Sequence, residues 1–338
     1  MGRCTRGQVA ERAGVSPAVV SYVLGGTARA HRISEATAER VRAASAALGY
    51  RPNIWGRVLK TQRSNVIVFV SEDLTDPNTV ELIGALGGVV RARGLGLMLS
   101  DLGGESLECG EGLRAMESSM ADAFLLHAPL HGLPAGSPVG AFEGKPCCVL
   151  GRHMPGGSVS SVEVDNARGA ELAVAHLLAR GATRLGVIAD RREYAYTQAR
   201  LAGCRKALAA CGQSGPRLRF RAGHEDQLQA GAAAVEGWQK EGLLPDGIFA
   251  MGDVMAFGAL SALHTAGVRC PAQVRIVGFD GTPMARYASP SLSTVRQPFT
   301  AMAESALAMV QALLDGKRLG KKHLLLEPDL VVRASSGG

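Results

Sequence analysis

From Asn65 onward the chain alternates between short apolar runs and longer amphipathic stretches, and this alternation restricts the fold more than any other feature. The first run, NVIVFV, is rich in β-branched residues, as in a strand that is covered on both faces. Six further runs share this character: Leu95–Ser100, Ala123–Leu126, Cys147–Leu150, Arg184–Ile188, Gly247–Ala250 and Arg275–Gly278. Helical patterns separate them: Val80–Arg93, Leu107–Ser119, Ala167–Arg180, Ala199–Cys211, Gln227–Glu241, Val254–Ala266 and Ala301–Leu314. Strands that alternate with helices predict parallel α/β sheets.

About eight such units exceed one doubly wound sheet, so we expect an α/β core of two lobes with parallel sheets. The first lobe is predicted over about residues 65–164 and 294–326, and the second over about residues 165–293 and 327–338. A cleft between the lobes, at the carboxyl ends of the strands, is where a small ligand is expected to bind.

The N-terminal region has a different pattern, VAERAGVSPAVVSYVL over Val9–Leu24, which predicts two short helices around a turn at residues 13–15. Ser16 is suited to cap the second helix, and Pro17 occupies its first position, where a missing N–H costs nothing. Thr5 is suited to cap the first helix, and Ser34 to cap a third helix that extends to about Leu48. Such a helix pair with a tight turn is typical of a helix-turn-helix that enters a DNA major groove, although an ordinary helical hairpin shares the pattern. We therefore expect an all-α headpiece over residues 1–49 and a linker or hinge helix over residues 50–64.

The basic charge of the chain is concentrated in this region. Residues 1–63 hold 11 Lys and Arg against 3 Asp and Glu, which gives about +8. The whole chain has 37 Lys and Arg and 30 Asp and Glu. The other 275 residues therefore hold 26 basic and 27 acidic groups, a net charge of about −1. A basic segment of this kind is attracted to phosphates, and its binding should weaken steeply with salt.

Several classes of protein are disfavoured by what the sequence lacks. The seven cysteines are scattered without a CxxC pair, which favours a reducing cytoplasm, and we expect neither a secretory signal nor a membrane span. No catalytic motif is recognised, and His127 and His131 are interpreted as parts of a surface loop, because Pro129 between them spoils a helical metal pair. We expect no enzyme activity, no cofactor and no metal. A transport-type binding protein and a non-specific nucleoid protein each share some of these features; the basic headpiece argues against the first and the two-lobed core against the second.

In these motifs the chain resembles the lactose-repressor/galactose-repressor (LacI/GalR) family of bacterial regulators along nearly its whole length. The residues that carry the resemblance are Val9–Leu24, Ser34–Asn53, Val162–Leu177, Arg200–Leu208, Ile276–Ala285, Ser293–Pro298 and Leu330–Ser335. The resemblance implies a cytoplasmic homodimer that binds a near-palindromic operator, represses by steric block and responds to a small molecule, a sugar or related metabolite. It also implies a core similar to periplasmic sugar-binding proteins.

The resemblance assigns DNA-binding roles by position. Thr5, Ser16 and Ser21 match positions that contact phosphates, and Val19 stands where a phosphate-binding Thr is usual. Pro17, Ala18 and Tyr22 match the base-contacting positions, and of these three only Tyr22 can form a hydrogen bond with a base edge. Four residues match the hinge, where Leu59 would insert between base pairs: Asn53, Arg57, Leu59 and Lys60. Gly56 weakens a hinge helix, and we expect Trp55 to compensate by packing.

On the effector side, Arg200 and Asp280 match positions that form hydrogen bonds with ligand hydroxyls. Seven further residues are candidates by position, and for most of them a structural salt bridge or surface role is the alternative: Asn78, Thr79, Arg152, Asp165, Tyr196, His224 and Asp253. The chain departs from the family pattern where Asn78 and Thr79 replace an aromatic pair, Gly151 replaces Asp and Gly252 replaces Asn. These changes keep open a second possibility, a global or corepressor-dependent regulator with a degenerate or non-sugar pocket.

Overall fold

The structure is a computed structural model that describes residues 4–50, 63–102, 121–127, 145–153, 159–189, 194–211, 218–221, 226–320 and 322–337. The chain forms two compact units, Met1–Ser64 and Asn65–Gly338. The predicted helix over Leu107–Ser119 lies outside the described residues, as do His131, His224, Trp55, Gly56 and the four hinge residues Asn53, Arg57, Leu59 and Lys60.

The described part of the first unit is a bundle of three helices: α1 (Arg6–Ala13), α2 (Pro17–Leu24) and α3 (Glu35–Ala47). Each helix begins at a hydroxyl side chain that accepts a backbone N–H, as the sequence predicts for Thr5, Ser16 and Ser34. Gly14 has φ +63°, a left-handed conformation that lets α1 end and the chain turn sharply into α2. Small aliphatic side chains from all three helices fill the core: Val9, Ala10, Ala13, Val20, Val23, Ala38, Val41 and Ala44.

In the residues that the structure describes, the second unit contains two six-stranded sheets, each covered by helices. The first sheet has the order β11-β5-β4-β3-β1-β2 and is parallel throughout. Its strands are β1 (Val66–Ser71), β2 (Gly96–Asp101), β3 (Ala123–His127), β4 (Cys147–Leu150), β5 (Ser160–Val164) and β11 (His323–Leu326). Helices α4 (Pro77–Ala92) and α9 (Phe299–Leu314) pack together against this sheet and bury its apolar face. This sheet and its helices are the first lobe.

The second sheet has the order β12-β10-β9-β8-β6-β7 and forms the second lobe. Its strands are β6 (Leu185–Ile188), β7 (Leu218–Arg221), β8 (Gly247–Ala250), β9 (Arg275–Asp280), β10 (Ser293–Arg296) and β12 (Asp329–Val331). Its helices are α5 (Asn166–Ala179), α6 (Ala195–Ala210), α7 (Gln227–Lys240) and α8 (Asp253–Thr265). The chain returns to this lobe for its last strand, β12, which lies at the sheet edge and is antiparallel to β10.

The strands that the sequence analysis did not predict are short or polar. β5 (SSVEV), β7 (LRFR) and β10 (STVR) contain polar residues that interrupt any apolar run, β12 (DLV) has only three residues, and β11 (HLLL) has four. β10 pairs with β9 along its full length, so the chain leaves the second lobe at Gln297.

Candidate functional site

The exposed face of α2 holds the residues that the sequence analysis assigned to DNA. Ser16, Pro17, Ala18 and Ser21 are exposed, and the Ser16 hydroxyl also accepts the Val19 N–H at 3.4 Å. Val19 is half-buried because its side chain packs on the headpiece core, which accounts for an apolar residue at that position. Thr5 caps α1 through a reciprocal pair of hydrogen bonds with Gln8.

Two neighbours of α2 that the sequence analysis did not single out organise this face. The Arg6 guanidinium donates to the Ser21 hydroxyl at 2.9 Å. The His31 imidazole stacks on the Tyr22 ring, with centroids 3.5 Å apart and planes 18° from parallel. Tyr22 is therefore held by a residue nine positions further along the chain, from the loop after α2, and local helical periodicity gives no signal for that contact.

In the second unit, Gln297 lies where the chain passes from the second lobe to the first. Its side-chain amide donates to the Asp280 carboxylate at 2.8 Å and to the Asn78 carbonyl at 3.1 Å. Asp280 ends β9 in the second lobe, and Asn78 is in the first turn of α4 in the first lobe. One amide thus joins a predicted effector residue of each lobe, and Gln297 itself was not among the predicted residues.

Asp280 is only 8% exposed and has φ +117°, a strained conformation for a residue other than glycine. Burial raises the pKa of its carboxyl group well above the ordinary value; the Arg200 charge lowers that pKa, whereas Asp253 and Asp76 raise it further. Strain and perturbed ionisation at one residue are typical of a functional position.

Arg200 is also buried, and its planar group is fixed from three sides. Its Nε donates to the Asn166 side chain at 2.8 Å, and Nη1 donates to the Met251 carbonyl. The guanidinium carbon lies 3.6 Å from the centroid of the Phe279 ring and 5.1 Å from that of the Tyr196 ring. Arg200 is therefore preorganised beside the carboxyl ends of β8 and β9, and Tyr196 shares its site.

Asp253 is fully buried and braces this region rather than facing a cleft. Its two oxygens accept hydrogen bonds from the Thr282 N–H at 2.7 Å, the Thr282 hydroxyl at 2.9 Å and the Thr294 hydroxyl at 2.6 Å. Burial raises the pKa of Asp253 to about 6. The carboxylate ties the start of α8 to the turn after Asp280 and to β10, so we assign it a positioning role.

The structure places three other predicted residues away from this cluster or in structural roles. Asp165 caps α5 by accepting the Arg168 N–H at 2.8 Å. Arg152 is half-buried just after β4, where its charge acts on Glu163. Thr79 is 2% exposed and contacts Asp76 and His127 rather than facing solvent.

The interpretation of His127 as part of a surface loop is wrong. It is the last residue of β3 and only 8% exposed, because the ring packs over Phe69 and beside hydroxyl groups of β1 and α4. The single signal in the sequence was its position directly after the apolar run Ala123–Leu126.

Two further findings concern membrane-spanning helices and metal sites in the described part of the chain. None of the helices in those ranges is long and apolar enough to cross a bilayer. Within the same ranges, His, Cys, Asp and Glu side chains form no group of three placed to hold a metal ion.

A helix-turn-helix headpiece followed by a two-lobed core with a polar cluster between its sheets defines the class of ligand-responsive DNA-binding regulators. Comparison with known proteins gives the family. Residues 7–53 match the model described as bacterial regulatory proteins, lacI family, and residues 174–336 match the periplasmic binding protein-like domain. The chain is 31% identical over 299 residues to the HTH-type transcriptional regulator GalS of Salmonella typhimurium, covering 88% of this chain and 86% of that protein. The protein belongs to the lacI family of bacterial regulatory proteins.

Two further relatives cover almost the entire chain. The HTH-type transcriptional repressor CytR of Escherichia coli is 28% identical over 334 residues, which is 98% of this chain and 96% of that protein. The solved complex of the transcriptional regulator CelR with cellobiose is 27% identical with a TM-score of 0.69, covering 98% and 100% of the two chains. These similarities confirm the predicted fold class and the assignment as a DNA-binding transcriptional regulator rather than an enzyme.

Proposed function

We propose that the protein is a cytoplasmic repressor that binds an inverted-repeat operator as a homodimer and blocks transcription sterically. The observation that carries this proposal is the geometry of α2, which is capped by Ser16, buried along one face and exposed at Pro17, Ala18 and Ser21, three of the residues assigned to DNA. Two copies of such a helix, one from each protomer, would occupy successive major grooves. CytR, which is similar along the whole chain, is named a repressor.

On DNA, the exposed hydroxyls of Ser16 and Ser21 and the neighbouring Arg6 offer phosphate contacts, which fix register without reading sequence. Tyr22 supplies a hydroxyl for a base edge, while Pro17 and Ala18 supply apolar contact of the kind that suits a thymine methyl. The hinge residues Asn53, Arg57, Leu59 and Lys60 are proposed to order on the minor groove of the correct site.

We further propose that a polar small molecule, a sugar or related metabolite, binds between the lobes and changes operator affinity. Arg200 offers a fixed donor fork, and Asp280 offers a carboxylate whose second oxygen, Oδ2, accepts no hydrogen bond from the described residues. Donor and acceptor groups in this arrangement suit a ligand with several hydroxyls. The relative CelR was solved with cellobiose, a sugar.

Coupling between the two sites requires that the ligand favour one arrangement of the lobes over another. Gln297 is suited to sense that change, because its amide is shared between Asn78 of the first lobe and Asp280 of the second. A ligand that forms a hydrogen bond with Asp280 competes for the same carboxylate.

The proposal is tested by selecting binding sites for the purified full chain from random duplexes. We expect an inverted repeat, and a panel of neutral sugars and nucleosides is then screened for a change in affinity for the selected duplex. Arg200→Lys keeps the charge but lacks the planar fork, so it should abolish the response while leaving operator binding intact. If the selection recovers no discrete sequence, the proposed repressor function is refuted. If the small molecule changes the operator affinity of Arg200→Lys as it does that of the wild type, the assigned effector pocket is refuted.

A further inference from the structure

The parallel sheet of the first lobe separates charge between its two ends. All six strands start at one end, the amino end, and finish at the other, the carboxyl end. At the carboxyl end, the described residues that close these strands or follow them within two positions are mostly acidic, with Arg152 as the opposing cation: Glu72, Asp73, Asp101, Asp165 and Glu327. The carboxyl end of the first lobe is therefore negative.

The amino end carries the opposite charge. Arg93, Lys145 and Lys322 lie one to three residues before the strands β2, β4 and β11. Asp122 directly precedes β3, and its carboxylate accepts the Asn65 N–H at 2.9 Å beside the start of β1. Three cations and one carboxylate thus lie where these strands begin.

Two helices that lead to the amino end add further cations. Arg91 is in the last turn of α4, which precedes β2. Lys317 and Arg318 follow the end of α9 on the segment that leads into β11, together with Asp315. In the described residues, the amino end therefore has six cations and two carboxylates, a net charge of about +4, although residues 64–338 as a whole are near −1.

Most of these cations are exposed to solvent. The exception is Lys145, which is half-buried and donates from Nζ to the Ala121 carbonyl at 2.8 Å. Neither Lys317 nor Arg318 forms an ion pair within the part of the chain that the structure describes. A cluster of cations creates a field that attracts an extended anion, and salt weakens that attraction.

The covalent chain links the amino end to the headpiece. Asn65 directly precedes β1, so the segment that comes from the headpiece enters the core at this end. The 14 residues from 51 to 64 join the two. Even a fully extended segment of that length spans only about 50 Å. A duplex carries one negative charge for every ~1.7 Å of its axis, so DNA held by the headpiece stays within reach of the amino end.

We propose that the amino end of the first lobe is a second DNA-binding surface, whose cations contact phosphates of the operator duplex without reading its sequence. This inference rests on the proposed function, since the headpiece must first hold the duplex. An acidic protein is the other kind of partner that suits such a surface. DNA is favoured because the headpiece brings a polyanion to this end of the lobe, whereas the acidic carboxyl end repels it.

The proposal is tested with two double variants of the full chain that remove the same charge. Lys317→Gln/Arg318→Gln removes two cations from the amino end. The matched control, Arg180→Gln/Lys240→Gln, removes two exposed cations from helix ends of the second lobe, after α5 and at the end of α7. Thermal unfolding verifies that both variants fold as the wild type does.

Affinity for the selected operator is then measured over a range of salt concentrations. We expect Lys317→Gln/Arg318→Gln to weaken binding at least about tenfold at about 100 mM salt and to make the salt dependence shallower, because fewer counterions are released from the phosphates. The control should stay within about threefold of the wild type. An equal loss in both variants would assign the effect to net charge and would overturn a contact at the amino end.

Ethylation interference identifies the phosphates that are contacted directly. In the wild type and in the control, ethylation of the same set of phosphates should weaken binding. In Lys317→Gln/Arg318→Gln, at least one of these phosphates should lose its effect, because the side chain that contacted it is neutral and shorter. Identical patterns in all three proteins would overturn the proposal.

The outcomes also separate this inference from the proposed function. If an operator is selected but Lys317→Gln/Arg318→Gln binds it as tightly as the wild type, only the second DNA-binding surface is overturned, and its charge then points to an acidic protein. If no operator is selected, the proposed function falls and the inference falls with it.

Discussion

At the scale of single residues, Asp280 combines three unfavourable features: a buried carboxylate, a positive φ and nearby carboxylates. Such strain persists only where surrounding contacts hold it, and here Asp253 braces the following turn through Thr282. Stability and ligand binding are therefore expected to oppose each other at this position.

Replacing the carboxylate by a neutral isostere should reveal that opposition. The folded state raises the pKa of Asp280, so its ionised form costs stability once the pH rises above about 4, where the unfolded chain ionises. Asp280→Asn can still accept the Gln297 amide, and we expect it to stabilise the core at pH 8 by roughly 1 kcal/mol or more, about 2–4 °C in Tm.

The pH dependence serves as the control for Asp280→Asn. At pH 4 the native carboxyl is protonated and resembles the amide, so the difference in Tm between variant and wild type should largely vanish. Thermal unfolding at the two pH values measures this, and an equal gain at both would indicate relief of packing rather than of charge. Effector binding should be lost in the same variant.

Residue roles were predictable from the sequence where the partner is local. The caps Thr5, Ser16 and Ser34 bind backbone groups three residues away, and all three were predicted. The bracing role of Asp253 was not, because its partners lie 29 and 41 residues further along the chain.

At the scale of secondary-structure elements, the second lobe depends on helix pairs that approach through glycine. A Cβ atom at Gly258 of α8 would lie 2.0 Å from the Leu228 carbonyl oxygen of α7, and one at Gly231 of α7 would lie 1.9 Å from the Met255 carbonyl oxygen of α8. Because these neighbours are backbone atoms, neither contact can be relieved by rotating a side chain.

We expect Gly258→Ala to force α7 and α8 apart at a cost of about 1–3 kcal/mol. The matched control is Gly88→Ala in α4, an exposed helical position where a Cβ would meet nothing within 4 Å. That substitution should stabilise by about 0.5–1 kcal/mol. Urea unfolding of both variants measures the contrast, and an equal effect would contradict the close approach of the two helices.

The helix that we propose to contact DNA, α2, offers an equally direct test through the Tyr22–His31 stack. Tyr22→Phe keeps the ring against His31 but removes the hydroxyl, so it should relax preference at one base pair of each half-site by about 1–3 kcal/mol. His31→Ala keeps the hydroxyl but frees the ring. Site selection with each variant measures this, and unchanged preference in Tyr22→Phe would exclude a base contact by Tyr22.

At the scale of the whole molecule, the two-lobed design was predictable because strand and helix alternate along the chain. The pairing of β10 with β9, which fixes where β10 ends, is recorded by no local pattern. The same limit explains why Gln297 was overlooked: its partners Asn78 and Asp280 are brought to it only by the complete fold.

The division of charge predicts how each activity responds to salt. The basic excess of about +8 lies in residues 1–63, whereas the remainder is near −1. Operator affinity should therefore fall on the order of a thousandfold or more between 50 and 200 mM salt, because counterions are released from the phosphates. Binding of a neutral effector to the core should change little over the same range, since no net charge is neutralised there.

Two arginines of the headpiece, which differ in their partners, allow a more specific test of the salt dependence. Arg6 donates to Ser21 on the exposed face of α2, whereas Arg42 forms an ion pair with Glu35 at 2.8 Å on α3. Arg6→Gln should reduce the slope of log affinity against log salt by about 1 for each headpiece. Arg42→Gln removes the same charge from a cation that is already paired, and it should leave the slope nearly unchanged. Equal slopes for the two variants would show that net charge, rather than a contact at Arg6, governs the attraction to DNA.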